Sequence, residues 1–484
     1  MGMKVKKMYK MTVLMLALLL FSSGLSVNAI QSESYLKQDV VNNENYGDDD
    51  NKVSVSDGTY DLLIISPKKF SRYIKPLVNH KNEFGVKTIQ VNVEDVYDQM
   101  YWHGRDDAEK IKLFIKKSIE EWGIKYVLLI GGRKNQRASE TWWIPVRYSH
   151  LDRKYDDLIE RKFLSDLYFA DIYDRNGNFS SWDDNNNGIY GEWPEDKAAE
   201  DRPDLFPDVY VGRLPCRNAF EVRILVKKII KYETGKCSDS WFKTMVVVAG
   251  DTYPEKTDYY DGEVYTQMGL DMMPGFNPVK LWASDGSLQN WVDVVKVFNK
   301  GCGFIWFSGH GNPASWSTHP PDDSSTWING LKLRYMPLIH NGKKQPVCIT
   351  GSGCFNSMFN VSLGHSSWVY GLPISHCFSW GLASKINGGS IATIGATAFS
   401  YESPDINLGY GGIEWLDIHF FEQYGLSNID ILGEIWGNTI TSFFQNFTIN
   451  WDDQSADGSA LVAKNGQQWL LIGDPSLKIG GYSI

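Results

Sequence analysis

Two reactive side chains stand out because each follows a short apolar run that ends in glycines. Phe304-Ile305-Trp306-Phe307 stops at Ser308-Gly309-His310-Gly311-Asn312, and Pro346-Val347-Cys348-Ile349-Thr350 leads into Gly351-Ser352-Gly353-Cys354. Glycine admits backbone conformations that other residues avoid, so such a turn presents His310 or Cys354 at a strand tip. A cysteine nucleophile acts as a thiolate and needs a base or a positive field nearby, and histidine is the side chain best suited to take that proton near neutral pH. Amides turned outward in a glycine-rich loop hold the oxyanion of an acyl-transfer intermediate, which makes Gly311 and Gly353 the candidate backbone donors. The pattern predicts a Cys354–His310 dyad that forms a thioester acyl-enzyme. His319 and Cys348 are the competing pair, less well placed because neither follows such a turn.

For those groups to meet, two neighbouring parallel strands must end on one edge, which is where open α/β sheets bind ligands. The rest of the chain supplies such a sheet. Leu62-Leu63-Ile64-Ile65, Val86 to Val93, Tyr126 to Ile130 and Val209 to Val211 read as strands of one half. Asp106 to Trp122 and Ala219 to Glu233 read as amphipathic helices between them. A second α/β unit begins at Thr244, with strands at Met245 to Ala249, at the two runs above, at Ser390 to Gly395 and at Trp469 to Ile472. Its helices are placed around Trp291 to Asn299 and Glu414 to Tyr424. Strands alternating with helices predict mostly parallel sheets covered on both faces, in a three-layer α/β/α arrangement. The expected division is 57–236 and 237–484, with a joint near Thr234 to Ser240.

The first 29 residues carry Lys4, Lys6, Lys7 and Lys10, an apolar Met11 to Phe21, and the small residues before a cleavage point at Ala29. This predicts an export signal, followed at 30–56 by an acidic linker or pro-segment too polar to repay ordering. No later run is apolar for long enough to span a bilayer, so the expectation is a secreted or cell-surface protein without a stable membrane span. A net charge of −10 argues against nucleic acid as the partner. The six cysteines (Cys216, Cys237, Cys302, Cys348, Cys354, Cys377) are scattered and read as mostly buried free thiols, with no pairing that suits zinc. No cofactor is needed for thiol chemistry. In Asp183-Asp184-Asn185-Asn186-Asn187-Gly188, oxygen side chains at Asp183, Asn185 and Asn187 before a glycine resemble the opening of a calcium loop, and a solvated Asn/Asp turn has the same pattern.

The histidine run and Trp316 resemble the histidine motif of the gingipain-type cysteine peptidases. Cys354-Phe355-Asn356-Ser357-Met358-Phe359 resembles that family's Cys-x-Asn/Thr-Gly-x-Phe motif, with Ser357 where glycine is usual and one extra residue before the cysteine. Further landmarks follow in order: Ile144 to Tyr148, Ser165 to Ala170, Pro207 to Pro215 and Gly473 to Leu477. The resemblance implies a caspase-like fold of two α/β subdomains, cysteine endopeptidase activity on protein or peptide substrates, and bound calcium. It also implies an acidic residue on the strand opening the catalytic half, for which Asp251 is the match, as an orienter of His310 or a substrate contact. Asp258, Asp261 and Glu263, in the loop after Asp251, have the charge to accept a basic substrate side chain, and a solvated acidic loop has the same pattern. A sortase-like transpeptidase, or an inactive caspase-like module that binds a surface, are the alternatives.

Overall fold

The computed structural model describes residues 58–155, 158–235, 240–254, 259–364, 373–455 and 458–482. The predicted export signal and linker, Cys237 and Asp258 lie outside the described residues. In chain order the strands are β1 (Leu62–Ser66), β2 (Thr88–Asn92), β3 (Tyr126–Ile130), β4 (Tyr148–Ser149), β5 (Arg153–Tyr155), β6 (Leu158–Glu160), β7 (Phe163–Leu164), β8 (Tyr210–Leu214), β9 (Thr244–Ala249), β10 (Asn277–Trp282), β11 (Phe304–Phe307), β12 (His310–Asn312), β13 (Ser315–Thr318), β14 (Ile328–Lys332), β15 (Val347–Thr350), β16 (Ala392–Ala396) and β17 (Trp469–Ile472).

Ten of these form one sheet in the order β10-β9-β11-β15-β16-β17-β8-β3-β1-β2. All neighbours run parallel except β16 and β17. The two predicted halves are therefore joined edge to edge. The last strand is the seam, antiparallel to β16 and touching β8 at Ile472↔Arg213.

The strands read as continuous apolar runs because both faces are covered. Met245, Val247, Phe304, Trp306, Val347 and Ile349 pack into the larger core, while the alternating Val246, Val248, Ile305, Phe307 and Cys348 pack into a second, smaller one. Helices begin where polar side chains satisfy the free amides: Asp106 accepts from Glu109 N ahead of the helix Asp107–Trp122, and Asn218 from Glu221 N ahead of Ala219–Glu233. Gly123 closes the former helix with a left-handed φ of 71°.

Among the described residues, the helices Val93–Gln99, Asp261–Asp271, Phe378–Ala383, Leu432–Asn446 and Ser459–Gln468 go beyond the elements expected from the sequence. The described residues from Trp142 to Asp204 hold short strands, turns and a short 3-10 helix at Asp166–Phe169.

Candidate active site

Strands β11 and β15 are direct neighbours, with Phe304 opposite Val347, so the chain leaves both at the same sheet edge. Beyond β11 the backbone enters the β12–β13 hairpin, with His310 opposite Ser317. Beyond β15 it turns through Gly351-Ser352-Gly353 to Cys354. The two turns touch through their glycines. A Cβ on Gly311 would lie 2.6 Å from the carbonyl carbon of Gly353 and 2.7 Å from its Cα, so a side chain there would drive the loops apart.

Asn356, wholly buried, fastens the contact. Its Nδ2 donates to Asn312 O at 2.7 Å and to Ser315 O at 3.1 Å, and its Oδ1 accepts from the Thr350 hydroxyl. One side chain thus ties the histidine hairpin to the cysteine turn. Ser357, the departure from the family pattern, faces the sheet instead. Its hydroxyl donates to Ser379 Oγ at 2.8 Å and its amide to Ala396 O at 2.9 Å, leaving the thiol untouched.

His310 is half-buried, and its Nε2 lies 2.8 Å from Thr252 O. A carbonyl only accepts, so Nε2 carries the proton and the basic lone pair of the neutral ring is on Nδ1. Tyr253 and Trp327 pack edge-on to the ring at 5.4 and 5.3 Å. His319 has a different job: it is fully buried, donates from Nδ1 to Thr326 O at 2.6 Å and lies 3.8 Å from the Trp327 ring.

The Cys354 thiol is turned towards Ser400, at 3.4 Å from its hydroxyl, and receives the Ser400 amide N–H at 3.4 Å. Burial pushes the thiol pKa up, the Ser400 bonds pull it back, and the charges of Glu160 and Glu402 add to the rise. The next residue, Phe355, has φ of 60°, a left-handed conformation that is strained for a bulky side chain. Its amide is held by Ala398 O at 2.9 Å. Gly353 N–H is likewise committed, to Thr350 O at 3.2 Å, which removes it as the expected oxyanion donor. The Cys354 amide has no partner among the described residues.

Asp251 does not orient His310. Its carboxylate accepts from Asp322 N at 3.0 Å, its amide donates to His319 O at 3.1 Å, and the histidine is instead held by the main chain of the following residue. Burial, together with Asp261, Asp322 and Glu263, pushes its pKa up to about 6 against the pull of the Asp322 amide.

Asp261 and Glu263 are not a receptor for a basic side chain either, because both are buried and serve the fold. Asp261 Oδ1 accepts from Thr252 N at 2.6 Å and Gly262 N at 2.8 Å, which fixes the carbonyl that holds His310. Glu263 accepts from Ser284 N at 2.9 Å and from its hydroxyl.

The Asp183 loop does not fit calcium. The Arg105 guanidinium sits 2.6 Å from Asp183 Oδ2, where a cation would have to bind. The remaining oxygens are turned onto the loop's own amides: Asp183 Oδ1 and Asn185 Oδ1 accept from Asn187 N, and Asn187 Oδ1 from Ile189 N. Calcium should therefore give no rise in melting temperature that depends on Asp183, whereas a site filled at a hundred times its Kd would add about 2.7 kcal/mol. A calcium-dependent rise that Asp183→Asn abolishes would mean that Arg105 is displaced. Of the cysteines, Cys216, Cys302, Cys348 and Cys377 are buried and free, in keeping with their apolar surroundings.

Sequence reasoning missed two groups here. Thr252 acts through its carbonyl, for which side-chain type carries no signal. Ser400 comes from the chain beyond β16, the strand next to β15, and only that adjacency brings it to the sulfur.

A family model described as peptidase family C25 matches residues 55–480. Gingipain R2 of Porphyromonas gingivalis is 21% identical over 432 residues, covering 86% of this chain and 46% of that protein. Gingipain R1 of the same organism is 20% identical over 86% of this chain and 34% of its own length. The chain thus spans less than half the length of these relatives. The crystal structure of the Arg-specific cysteine proteinase gingipain R matches with a TM-score of 0.57 at 17% identity, over 87% of this chain and 78% of that one. A complex of the pro- and mature domains of a Porphyromonas gingivalis gingipain gives 0.56 at 17% identity, over 87% and 79%. At such identities the likeness establishes the caspase-like α/β fold.

Proposed function

The chain belongs to peptidase family C25, and on that premise we propose that it is a cysteine endopeptidase with Cys354 as nucleophile and His310 as base. The observation that carries this reading is the close approach of Gly311 to Gly353, the neighbours of His310 and Cys354, which supports their pairing at one sheet edge. Nδ1 of His310 takes the thiol proton, and the sulfur leaves Ser400 to attack the peptide carbonyl. The oxyanion is met by backbone N–H groups, those of Cys354 and Gly311. The tetrahedral species collapses to a thioester as the histidinium returns its proton to the leaving amine. Water, deprotonated by His310, then releases the acid.

Thr252 O stabilises the histidinium from behind, in the orienting role that the family resemblance offered to Asp251. The catalytic half is 237–484, and the basic, apolar start of the chain supports action outside the cell. Among the described residues no helix is long and apolar enough to cross a membrane. One solved relative is described as Arg-specific. In this chain such a preference would have to come from groups other than Asp261 and Glu263, which are already engaged.

A thiol-reactive peptidyl probe tests the reading. Wild type should be labelled at Cys354, and Cys354→Ala should lose both label and peptide cleavage while keeping its circular dichroism spectrum. Equal labelling of the two proteins, or labelling of neither, would remove Cys354 from the centre of the reaction.

A further inference from the structure

We propose that Asp417, on the helix Ile413–Gly425, is the positioning residue of the nucleophile: its carboxylate fixes the Gly351-Ser352-Gly353 turn and, through Ser352 and Ser400, sets where the Cys354 sulfur rests. The inference rests on Cys354 being the nucleophile. Asp417 is completely buried, and among the described residues no cation is bonded to it. Oδ2 accepts from Trp306 Nε1 at 3.1 Å, Ser352 N at 3.2 Å and Ser352 Oγ at 3.3 Å, and Oδ1 accepts from Trp469 Nε1 at 2.9 Å. These donors belong to β11, which leads to His310, to the turn leading to Cys354, and to the seam strand β17. A carboxylate brought this close also explains the glycine at 351, where a Cβ would stand 2.2 Å from Asp417 Oδ1.

From Ser352 the chain of contacts continues to the sulfur. Ser400 Oγ donates its one proton to Ser352 O at 3.1 Å, so towards Cys354 Sγ, 3.4 Å away, it faces as an acceptor. A buried carboxylate with only neutral donors is costly unless it is fully hydrogen-bonded, and here every partner donates. Burial pushes its pKa up to about 7 against the pull of those bonds, and the ionisable group that feels its charge is the buried Cys348 thiol. Protonation would place a donor among donors and release one of them, Ser352 among the candidates.

The test is the rate at which iodoacetamide alkylates Cys354, followed by mass spectrometry of its peptide between about pH 5 and 9, in wild type, Asp417→Asn and Ser352→Ala. Asp417→Asn is expected to slow alkylation by about tenfold and to erase a step near neutrality that wild type shows. Ser352→Ala, which removes only the hydroxyl, is expected to slow it by about threefold with the fold retained. In peptide cleavage the same losses should fall on kcat rather than KM. Wild-type rates and pH profile in both variants, or losses that only follow the folded fraction, would overturn the proposal. If Asp417→Asn does not fold, an unchanged rate in Ser352→Ala overturns it alone. Wild type that cleaves no peptide would sink the peptidase reading, while the alkylation rates still decide the positioning.

Discussion

His310→Ala is expected to lower kcat/KM for peptide cleavage by about 100- to 10,000-fold, the range for loss of a general acid–base group, with the melting temperature nearly unchanged. The small structural effect follows from the site. His310 is only half-buried, and its Nε2 is held by a main-chain carbonyl, Thr252 O, which water satisfies once the ring is gone. His319 is the internal control, since its ring centroid lies 5.6 Å from that of His310. His319→Ala removes a fully buried ring packed at 3.8 Å on Trp327, so its first effect should be on stability. Steady-state kinetics and thermal denaturation on the two variants separate these roles. A stable His319→Ala as inactive as His310→Ala would transfer the base to His319.

The adjacency of the two strands that lead to His310 and Cys354 was legible because it depends on local chemistry: an apolar run, a glycine turn and a reactive side chain, repeated on two strands. The boundaries of β3, β11 and β17 and of the helix Ala219–Glu233 agree with the sequence reading for the same reason. What stayed hidden depends on partners far away in the chain. Asp251 and Asp261 have the right chemical type for orientation or substrate charge, yet Asp322 N and Thr252 N claim them once the loops fold. The helix Leu432–Asn446 escaped because Gly433 and Gly437 weaken its local signal. Both are needed for packing: a Cβ at Gly437 would meet Tyr210 Cδ1 at 2.4 Å and one at Gly433 would meet Pro475 O at 2.6 Å.

The family landmarks outside the dyad prove to be structural pairs. Arg213 grips Asp166 with Nε at 2.6 Å and Nη2 at 2.8 Å, joining the Gly-Arg-Leu-Pro and Ser-Asp-Leu-Tyr segments. Arg147 does the same to Asp106 with two bonds of 2.8 Å.

The Gly473 to Leu477 landmark leads to the largest stability effect expected in the molecule. Lys81, on the helix Ser71–Glu83, is fully buried, 2.8 Å from Glu233 Oε1 and 2.9 Å from Asp474 Oδ2, and it also donates to Ser476 O at 3.1 Å. His80 Nε2 meets the other Glu233 oxygen at 2.8 Å. Three segments distant in sequence are thus held by one ammonium group. Lys81→Met fills much of the same volume but leaves Glu233 and Asp474 without their cation, and should cost about 3–5 kcal/mol at neutral pH. The pH dependence has a definite sign. Burial pushes the Glu233 carboxyl up, but Lys81 and the bonds from His80, Lys81 and the Lys478 amide outweigh it and leave the pKa lowered. That stability is present above the unfolded glutamate value of about 4.3 and fades as pH falls through the lower folded value. Burial pulls Lys81 down, but Asp474 and Glu233 raise it further, so its share persists up to about pH 10.4 and is lost only beyond. In Lys81→Met the stranded carboxylates will prefer their protonated forms, so the deficit relative to wild type should narrow as pH is lowered towards about 5. Denaturant melts of both proteins at several pH values measure it. A deficit below about 1 kcal/mol, or one that does not change with pH, would mean that the network contributes packing rather than charge pairing.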